Sequence, residues 1–364
     1  MSDHLSEDVI VEIFSRLPVK PLLRFRSVSK SLRDRIGSPN FIRLHTLRSP
    51  KKLTIIHRAR CKEESCNKLI YTLHDSEDHL FCNPYIRVTP VEYPFKSIRI
   101  VGSCNGVLCV YESRIGINLW NPSIRRKVTV PDPPSSDRLI HGFGFDPIIQ
   151  DYKILRISDA GSSVYTLKTR SWHEIASPTR RFPDVSSCQC LFNGALHWVV
   201  KLTDSYDVCH YRYIMTFDLS SEAFSTIGLP EPSWETSVVT IIKDCLAVIS
   251  SKCGKSKIWV KKEYDNTNTN TAWCVAYRFN TDPFKGAMRV FQRSIDGYLV
   301  FNNFKGIMIS NPESRFLRDL RKLRRSSFIV EMNTCEESLE LLGLGTSCDH
   351  HNEPISESQK KQNK

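Results

Sequence analysis

After residue 50 the chain offers short apolar runs at short intervals, and this spacing constrains the fold more than any other feature. The runs include "KLTIIH", "IRIVGSCNGVLCVY", "GFGFD", "SVYTL", "GALHWVV", "YIMTFDL", "VVTIIKDCLAVIS", "IWVKK", "WCVAYRF" and "GYLVFNN". They are rich in Val, Ile, Tyr, Phe and Trp and are bounded by turn residues, so they read as strands. They lie too close together for helical crossovers, which makes the sheets antiparallel. A loose repeat is visible at "SCNGVLCV" (103–110), "LFNGALHWV" (191–199), "IKDCLAVIS" (242–250) and "SIDGYLVFN" (294–302), with a further unit implied by "GFGFD" at 142–146. A period of about 50 residues suits blades of four strands. Blades bury their faces against neighbours in a ring, which predicts a β-propeller. The alternative is a two-sheet sandwich, for which the strand-rich region is long.

The N-terminal stretch has a different period. Ser6 is a candidate N-cap, with Glu7 and Asp8 in the first turn and Leu5 and Ile10 placed as a hydrophobic staple. Val9, Ile10, Ile13, Phe14 and Leu17 form an apolar stripe at helical spacing. Pro18 stops this helix, and Pro21 is suited to start a second one. A third helix spans Lys30–Ile36 and ends at Gly37; "SPNF" then restarts the chain, with Ser38 as cap. A bundle of about 40 residues is too small to stand alone without a partner or covalent staple. Two readings follow: it docks on the rest of the chain, or it offers an apolar face to an external helix.

These residues resemble the F-box motif. Leu5, Asp8, Ile13, Arg16, Leu17, Pro18, Leu22, Arg24, Val28, Ser29 and Lys30 stand at matching places, with Ile36 near the final apolar position. Ser6 replaces a usual proline, and Leu32 a usual tryptophan. The strand-rich half resembles the F-box-associated (FBA) interaction domain, whose members are mostly plant proteins. The matching elements, in family order, are "SCNGVLCV", "LWNPSIRR", "GFGFDPIIQDYKILRI", "VYTLKTRSW", "NGALHWVV", "IMTFDLSSEAFSTIGLP", "IWVKKEY" and the late "ESL".

The resemblance implies an α+β multidomain protein: a small three-helix F-box bundle followed by an all-β, kelch-like β-propeller. The expected organisation is an F-box domain at 1–45, a connecting segment with the first propeller strands at 46–99, the FBA propeller at 100–345 and a disordered polar tail at 346–364. It further implies a substrate-recognition subunit of an SCF-type ubiquitin ligase. That subunit binds a Skp-type adaptor and, through it, cullin and RING subunits, and it tethers a target protein for degradation. By resemblance, the adaptor contacts are Leu5, Ile10, Leu17, Pro18, Leu22, Leu23, Val28 and Lys30, some of which must instead be core. The alternatives are a propeller-based binding protein, an F-box protein acting outside a ligase, a propeller enzyme or a nucleic-acid binder.

Composition narrows these classes. The 13 cysteines are scattered, with no CxxC, and no glycosylation acceptor occurs, so the chain reads as reduced, in cytosol or nucleus. No apolar run reaches the length of a membrane span and no signal-peptide pattern opens the chain. The net charge of +12 is concentrated in residues 1–60 and in "RFLRDLRKLRR" (315–325), rather than spread over the fold as in a protein that coats nucleic acid. The second segment reads as an amphipathic helix with a basic face, or as an acidic-partner patch or import signal.

Chemical motifs are weak. Cys188–Cys190 and Cys348–His350–His351 carry zinc-ligand types without zinc-site spacing. There is no GxSxG and no glycine-rich phosphate loop. His141 and His197 read as hydrogen-bonded structural residues. Asn105-Gly106 and Asn193-Gly194 read as type I′ hairpin turns, "WNPS" as a turn, and Trp120, Trp172, Trp198 and Trp259 as blade core. Neither a catalytic residue nor a cofactor or metal is expected.

Overall fold

The structure, a computed structural model, describes residues 6–48, 53–60, 69–75, 89–91, 98–112, 116–131, 139–178, 184–185, 189–202, 211–231, 236–264, 273–280, 284, 289–290, 299–303, 306–314, 316–319 and 329–344. It opens with four short helices, α1 (Glu7–Phe14), α2 (Val19–Phe25), α3 (Lys30–Ile36) and α4 (Pro39–Arg48). The "SPNF" restart thus produces a fourth helix beyond the three expected. The Ser6, Ser29 and Ser38 hydroxyls accept hydrogen bonds from the backbone N–H groups of Val9, Leu32 and Phe41, capping α1, α3 and α4. α2 begins at Val19 with Pro18 as its N-cap, two residues earlier than Pro21 predicts. Any Pro in a first turn is harmless, because none of those N–H groups has a helical partner.

Six antiparallel sheets follow among the described residues. One holds β1 (Leu53–Arg60), β2 (Leu69–Asp75) and β3 (Thr89–Val91). The next four-stranded sheets are β4 (Ile98–Cys104) to β7 (Arg126–Val130), through β5 (Val107–Glu112) and β6 (Gly116–Asn121), and β8 (Leu139–Asp146) to β11 (Ser171–Ile175), through β9 (Asp151–Ser158) and β10 (Gly161–Thr166). Then come β12 (Asp184–Val185), β13 (Cys190–Phe192), β14 (Ala195–Leu202), β15 (Tyr211–Asp218) and β16 (Ala223–Gly228). The last two sheets are β17 (Thr236–Ile242), β18 (Cys245–Lys252), β19 (Lys255–Lys261) and β20 (Trp273–Phe279), and β21 (Arg289–Val290), β22 (Leu299–Asn303), β23 (Gly306–Asn311) and β24 (Phe316–Asp319). Finally β25 (Ile329–Glu336) returns to pair with β1, so the first sheet is completed by the last strand of the chain.

Neighbouring sheets meet through their inner strands: β25 lies against β4, β4 against β8, β8 against β14, β14 against β17 and β17 against β21. This is a β-propeller-like arrangement, and it separates the sandwich alternative from the observed fold. The repeat markers at 103, 191 and 242 fall on the turn between the first and second long strands of their blades. Two of these turns are the expected type I′, with Asn105 and Gly106 at φ 48° and 76°, and Asn193 and Gly194 at φ 46° and 73°. Residues 316–319 of the basic segment form β24, paired with β23, and not part of an amphipathic helix. β23 offers this stretch backbone partners, with Asn311 opposite Phe316 and Met308 opposite Asp319; residues 320–325 lie outside those described.

The bundle is joined to the propeller through one seam. Val19, Leu22, Ile36, Phe41 and Ile42 form its core, and Leu339, fully buried, belongs to the same cluster, with Ile124 and Leu342 packed against it. The segment after β25 is held by Asn121, whose Nδ2 donates to the Ser338 and Glu340 carbonyls at 3.0 and 2.9 Å and to the Ser338 Oγ at 3.0 Å. The Asn121 Oδ1 meanwhile accepts from the Ser123 N–H, closing the "WNPS" turn. Gly106 allows the close approach: a Cβ there would lie 2.4 Å from Ser338 Oγ and 2.5 Å from the Glu336 carbonyl, and its φ is positive. On the bundle side, Thr46 Oγ1 donates to Glu340 Oε1 at 3.1 Å, and His45 Nε2 bonds the Leu17 carbonyl at 2.8 Å.

Two predictions follow from this seam. Leu339→Ala leaves a cavity shared by bundle and propeller and should cost about 2–5 kcal/mol in chemical denaturation. The second concerns His45, which burial holds below its unfolded value of 6.5 despite its bond to the Leu17 carbonyl. Below pH 6.5 the unfolded chain takes up a proton that the folded chain refuses, so His45 contributes stability that is lost on acidification. Glu340 acts oppositely, because burial raises its pKa and the folded state keeps its proton longer. Comparing wild type with His45→Gln in denaturant between neutral and mildly acidic pH isolates the His45 contribution; the variant should lose less stability on acidification.

Candidate functional site

The bundle sorts the predicted adaptor-facing residues by burial. Leu22 is fully buried at the centre of the core, and Leu17 and Leu23 pack against that core. Ile10 is half-buried, whereas Pro18 and Lys30 are exposed. Val28, just before the α3 cap, is 71% exposed. Leu5 lies outside the described residues. Two residues were missed by sequence reasoning as surface groups: Val9 and Ile13, 42% and 48% exposed, which the apolar stripe had grouped with core residues. Their separation of four residues puts them on one face of α1. The stripe was wider than one buried face needs, and that excess was the available signal. Val11 and Phe14 take the inward side, with Phe14 stacked on Phe25 at 5.0 Å between ring centroids.

Ion pairs fix how this surface is presented. Glu12 of α1 binds both Arg16 and Arg48, so α4 is tied to α1, and Arg35 of α3 reaches Glu7 at 2.6 Å. All these groups are exposed or half-exposed, and each pair contributes modestly in water. Leu32, where a tryptophan is usual, is half-buried on α3. One apolar side of the bundle is closed by Leu339, Leu342 and Ile124, whereas Val9 and Ile13 on α1 and Val28 before α3 stay open to solvent.

The propeller presents its two ends differently. β25 leaves its sheet at the same end where the chain enters β1, with Glu336 opposite Leu53. That end also carries Gly106, Asn121 and the bundle. The other end carries the starts of β4, β8 and β17 and the hairpin between β18 and β19.

Within the blades, titratable groups are occupied in structure. His197 Nδ1 bonds the Cys190 carbonyl at 3.2 Å and Nε2 the Tyr264 hydroxyl at 2.5 Å, and burial pushes its pKa down to about 4. His141 Nδ1 bonds Arg99 at 3.3 Å. Burial would lower the pKa of Lys153, but Asp146 and Glu222, each 2.8 Å from its Nζ, outweigh that and raise it. Burial also raises the Cys190 thiol to about 12, which makes it inert. Among the described residues no three His, Cys, Asp or Glu side chains come together as a metal site. Cys188, Cys348, His350 and His351 lie outside them. Trp120 and Trp198 are buried, as blade core requires, whereas Trp172 and Trp259 are half-buried. Among the described residues no helix is long and apolar enough to cross a membrane.

Comparison with known proteins agrees with this division. Residues 61–277 match the F-box associated beta propeller domain family, and residues 2–44 match the F-box domain family. Relatives include the putative F-box protein At2g16220 of Arabidopsis thaliana, 30% identical over 87% of this chain and 85% of that one. The F-box protein CPR1 of the same plant is 27% identical over 73% of this chain and 70% of that one. The putative F-box protein At3g16210, also from Arabidopsis thaliana, is 30% identical over 63% of this chain and 62% of its own length, so the chain spans less than two thirds of that relative. Among solved structures, TolB from Acinetobacter baumannii aligns at 10% identity over 78% of this chain and 66% of that chain with a TM-score of 0.44, too loose to bear on the argument. The bundle, the propeller-like sheets and the matched families agree: the chain belongs to the plant F-box proteins that carry an F-box-associated β-propeller domain.

Proposed function

We propose that this chain is the substrate-recognition subunit of an SCF-type ubiquitin ligase. F-box domains bind Skp-type adaptors, and the observation that carries the reading is the set of apolar groups the bundle leaves in solvent. Val9, Ile13 and Val28 stay exposed although the bundle has already completed its core with Leu339. Apolar groups left in water after a core is closed mark an interaction surface. On this reading Val9, Ile13, Pro18, Val28 and Lys30 meet the adaptor directly, Ile10, Leu17 and Leu23 border the contact, and Leu22 supports it from the core. Leu5 extends it toward the N-terminus.

The chain itself performs no bond chemistry in this role. The adaptor brings cullin and RING subunits, and the propeller holds a protein target beside a ubiquitin-charged conjugating enzyme. The gain is in effective concentration: a target lysine is tethered within reach instead of meeting the enzyme by diffusion. The seam matters here, because Leu339 and Asn121 make bundle and propeller one body, and the target is then held at a set distance from the adaptor. A reduced compartment, cytosol or nucleus, suits Cys109, Cys190 and Cys335, which are buried thiols outside any disulfide.

The test is a pull-down of Skp-type adaptor and cullin by the full chain. Val28→Asp places a charge on a residue already in solvent, so the fold should be kept while adaptor affinity drops about thirtyfold, the ~2 kcal/mol typical of an interface anchor. Wild type that recovers no adaptor, or a variant that recovers it equally well, sinks the proposal. Leu22→Ala serves as the contrast: it should reduce recovery together with thermal stability.

A further inference from the structure

The basic groups of the propeller are not distributed as simple solvation would place them. At the end that carries the bundle, two lysines have acidic partners: Lys243 pairs with Glu313 at 2.5 Å, and Lys153 with Asp146 and Glu222. At the opposite end, the blade formed by β17–β20 does the reverse. Lys252 and Lys255 face each other directly across the β18–β19 hairpin, and Lys257 faces Arg278 directly across β19 and β20. Like charges in directly opposed cross-strand positions destabilise a sheet. Lys252, Lys255 and Arg278 are exposed. Among the described residues the carboxylate bonded to this group is that of Glu231, 2.7 Å from Lys257, at the end of the preceding blade.

The placement is specific as well as costly. Lys255, Lys257 and Trp259 alternate along β19 and so share one face of the sheet. Trp259 packs against a buried cluster that includes Val199 and Leu229 of the preceding blade and Val248 of its own, which puts that face at the seam between two blades. The Lys257 ammonium lies 5.3 Å from the centre of the Trp259 ring, so the base is anchored on an apolar platform. Arg99, exposed at the start of β4, adds a further base at the same end. The like charges of Lys252, Lys255 and Arg278, bonded to no carboxylate among the described residues, stand at the end of the blade remote from the bundle and are complementary to an acidic chain.

We propose that this basic blade seam, at the propeller end opposite the F-box, docks an acidic segment of a protein partner. The inference rests on the receptor reading, since it gives that reading its substrate-facing surface.

The test uses the full chain and a fluorescein-labelled oligoglutamate peptide followed by fluorescence anisotropy. The wild type should bind in low salt and weaken as salt is added, because exposed charges are screened over about 10 Å at 0.1 M. The triple variant Lys252→Glu/Lys255→Glu/Arg278→Glu should bind about tenfold or more weakly, while Lys243→Glu, at the other end, should match wild type. Lys252→Arg/Lys255→Arg should retain binding. A thermal melt adds a readout that a structural role would move the other way: Lys252→Glu alone removes a like-charge pair and should leave the melting temperature unchanged or higher. Equal peptide binding by the triple variant, no binding by wild type, or tighter binding of an oligodeoxythymidylate of equal charge overturns the proposal. Adaptor recovery from the same samples keeps the two readings apart: loss of the peptide effect with adaptor retained removes this surface alone, and loss of adaptor removes the receptor reading.

Discussion

Leu339 sits in a core that is not its own. It follows the last strand of the propeller, yet its side chain closes the cluster formed by Val19, Leu22, Ile36, Phe41 and Ile42 of the helices. Helices of seven to ten residues are marginal by themselves, because nucleating each turn costs more than its few hydrogen bonds return. Packing has to hold them, and part of that packing comes from the far end of the chain. Asn121 makes the loan secure. Its amide group donates to two carbonyls and a hydroxyl of the 338–340 segment, in a site where an unmet donor would be costly. The same segment touches Gly106, so the first complete blade, the last strand and the helical bundle converge on one point.

That convergence gives the molecule a direction. The covalent connection from bundle to propeller, into β1, and the segment after β25 that packs on the bundle lie at one end. The inner strands carry the structure away from it for about 20 Å, at roughly 3.3 Å per residue. An adaptor bound to Val9, Ile13 and Val28 and a target bound at the opposite end would therefore be separated by a stiff body with satisfied backbone. Flexibility between them would dilute the effective concentration on which a tethering ligase depends. The closure of the first sheet by β25 serves the same end, because it removes two open strand edges and prevents the ring from unzipping.

Legibility in the sequence followed the range of the interaction. The caps at Ser6, Ser29 and Ser38 and the Asn-Gly turns were readable because each depends on neighbours within three or four residues. The blade spacing was readable because every blade reuses the same strand–turn–strand pattern. Lys243-Asp244 occupies the turn position that Asn-Gly takes elsewhere, with both φ values positive, and its composition did not announce it. The basic segment misled because Phe316 and Leu317 fit a helical stripe and an edge strand equally well; β23 settled the choice by offering backbone partners. Asn121 was legible as a turn residue through its Oδ1 bond to Ser123, whereas its second role depends on a segment more than 200 residues away.

The sequence by itself determined the two hydrophobic periods, the caps, the hairpin turns and hence an N-terminal helical bundle followed by antiparallel blades. Tertiary structure alone decided which apolar residues of the bundle are core and which are surface. Val9 and Leu22 are equally apolar in sequence, and only the arrival of Leu339 on one side left the other side open. It also decided that bundle and propeller form one body, and that the like-charged bases of β18–β20 meet at the end away from the helices. Those outcomes depend on contacts between distant segments, whose cost in chain entropy is met only when the whole ring closes.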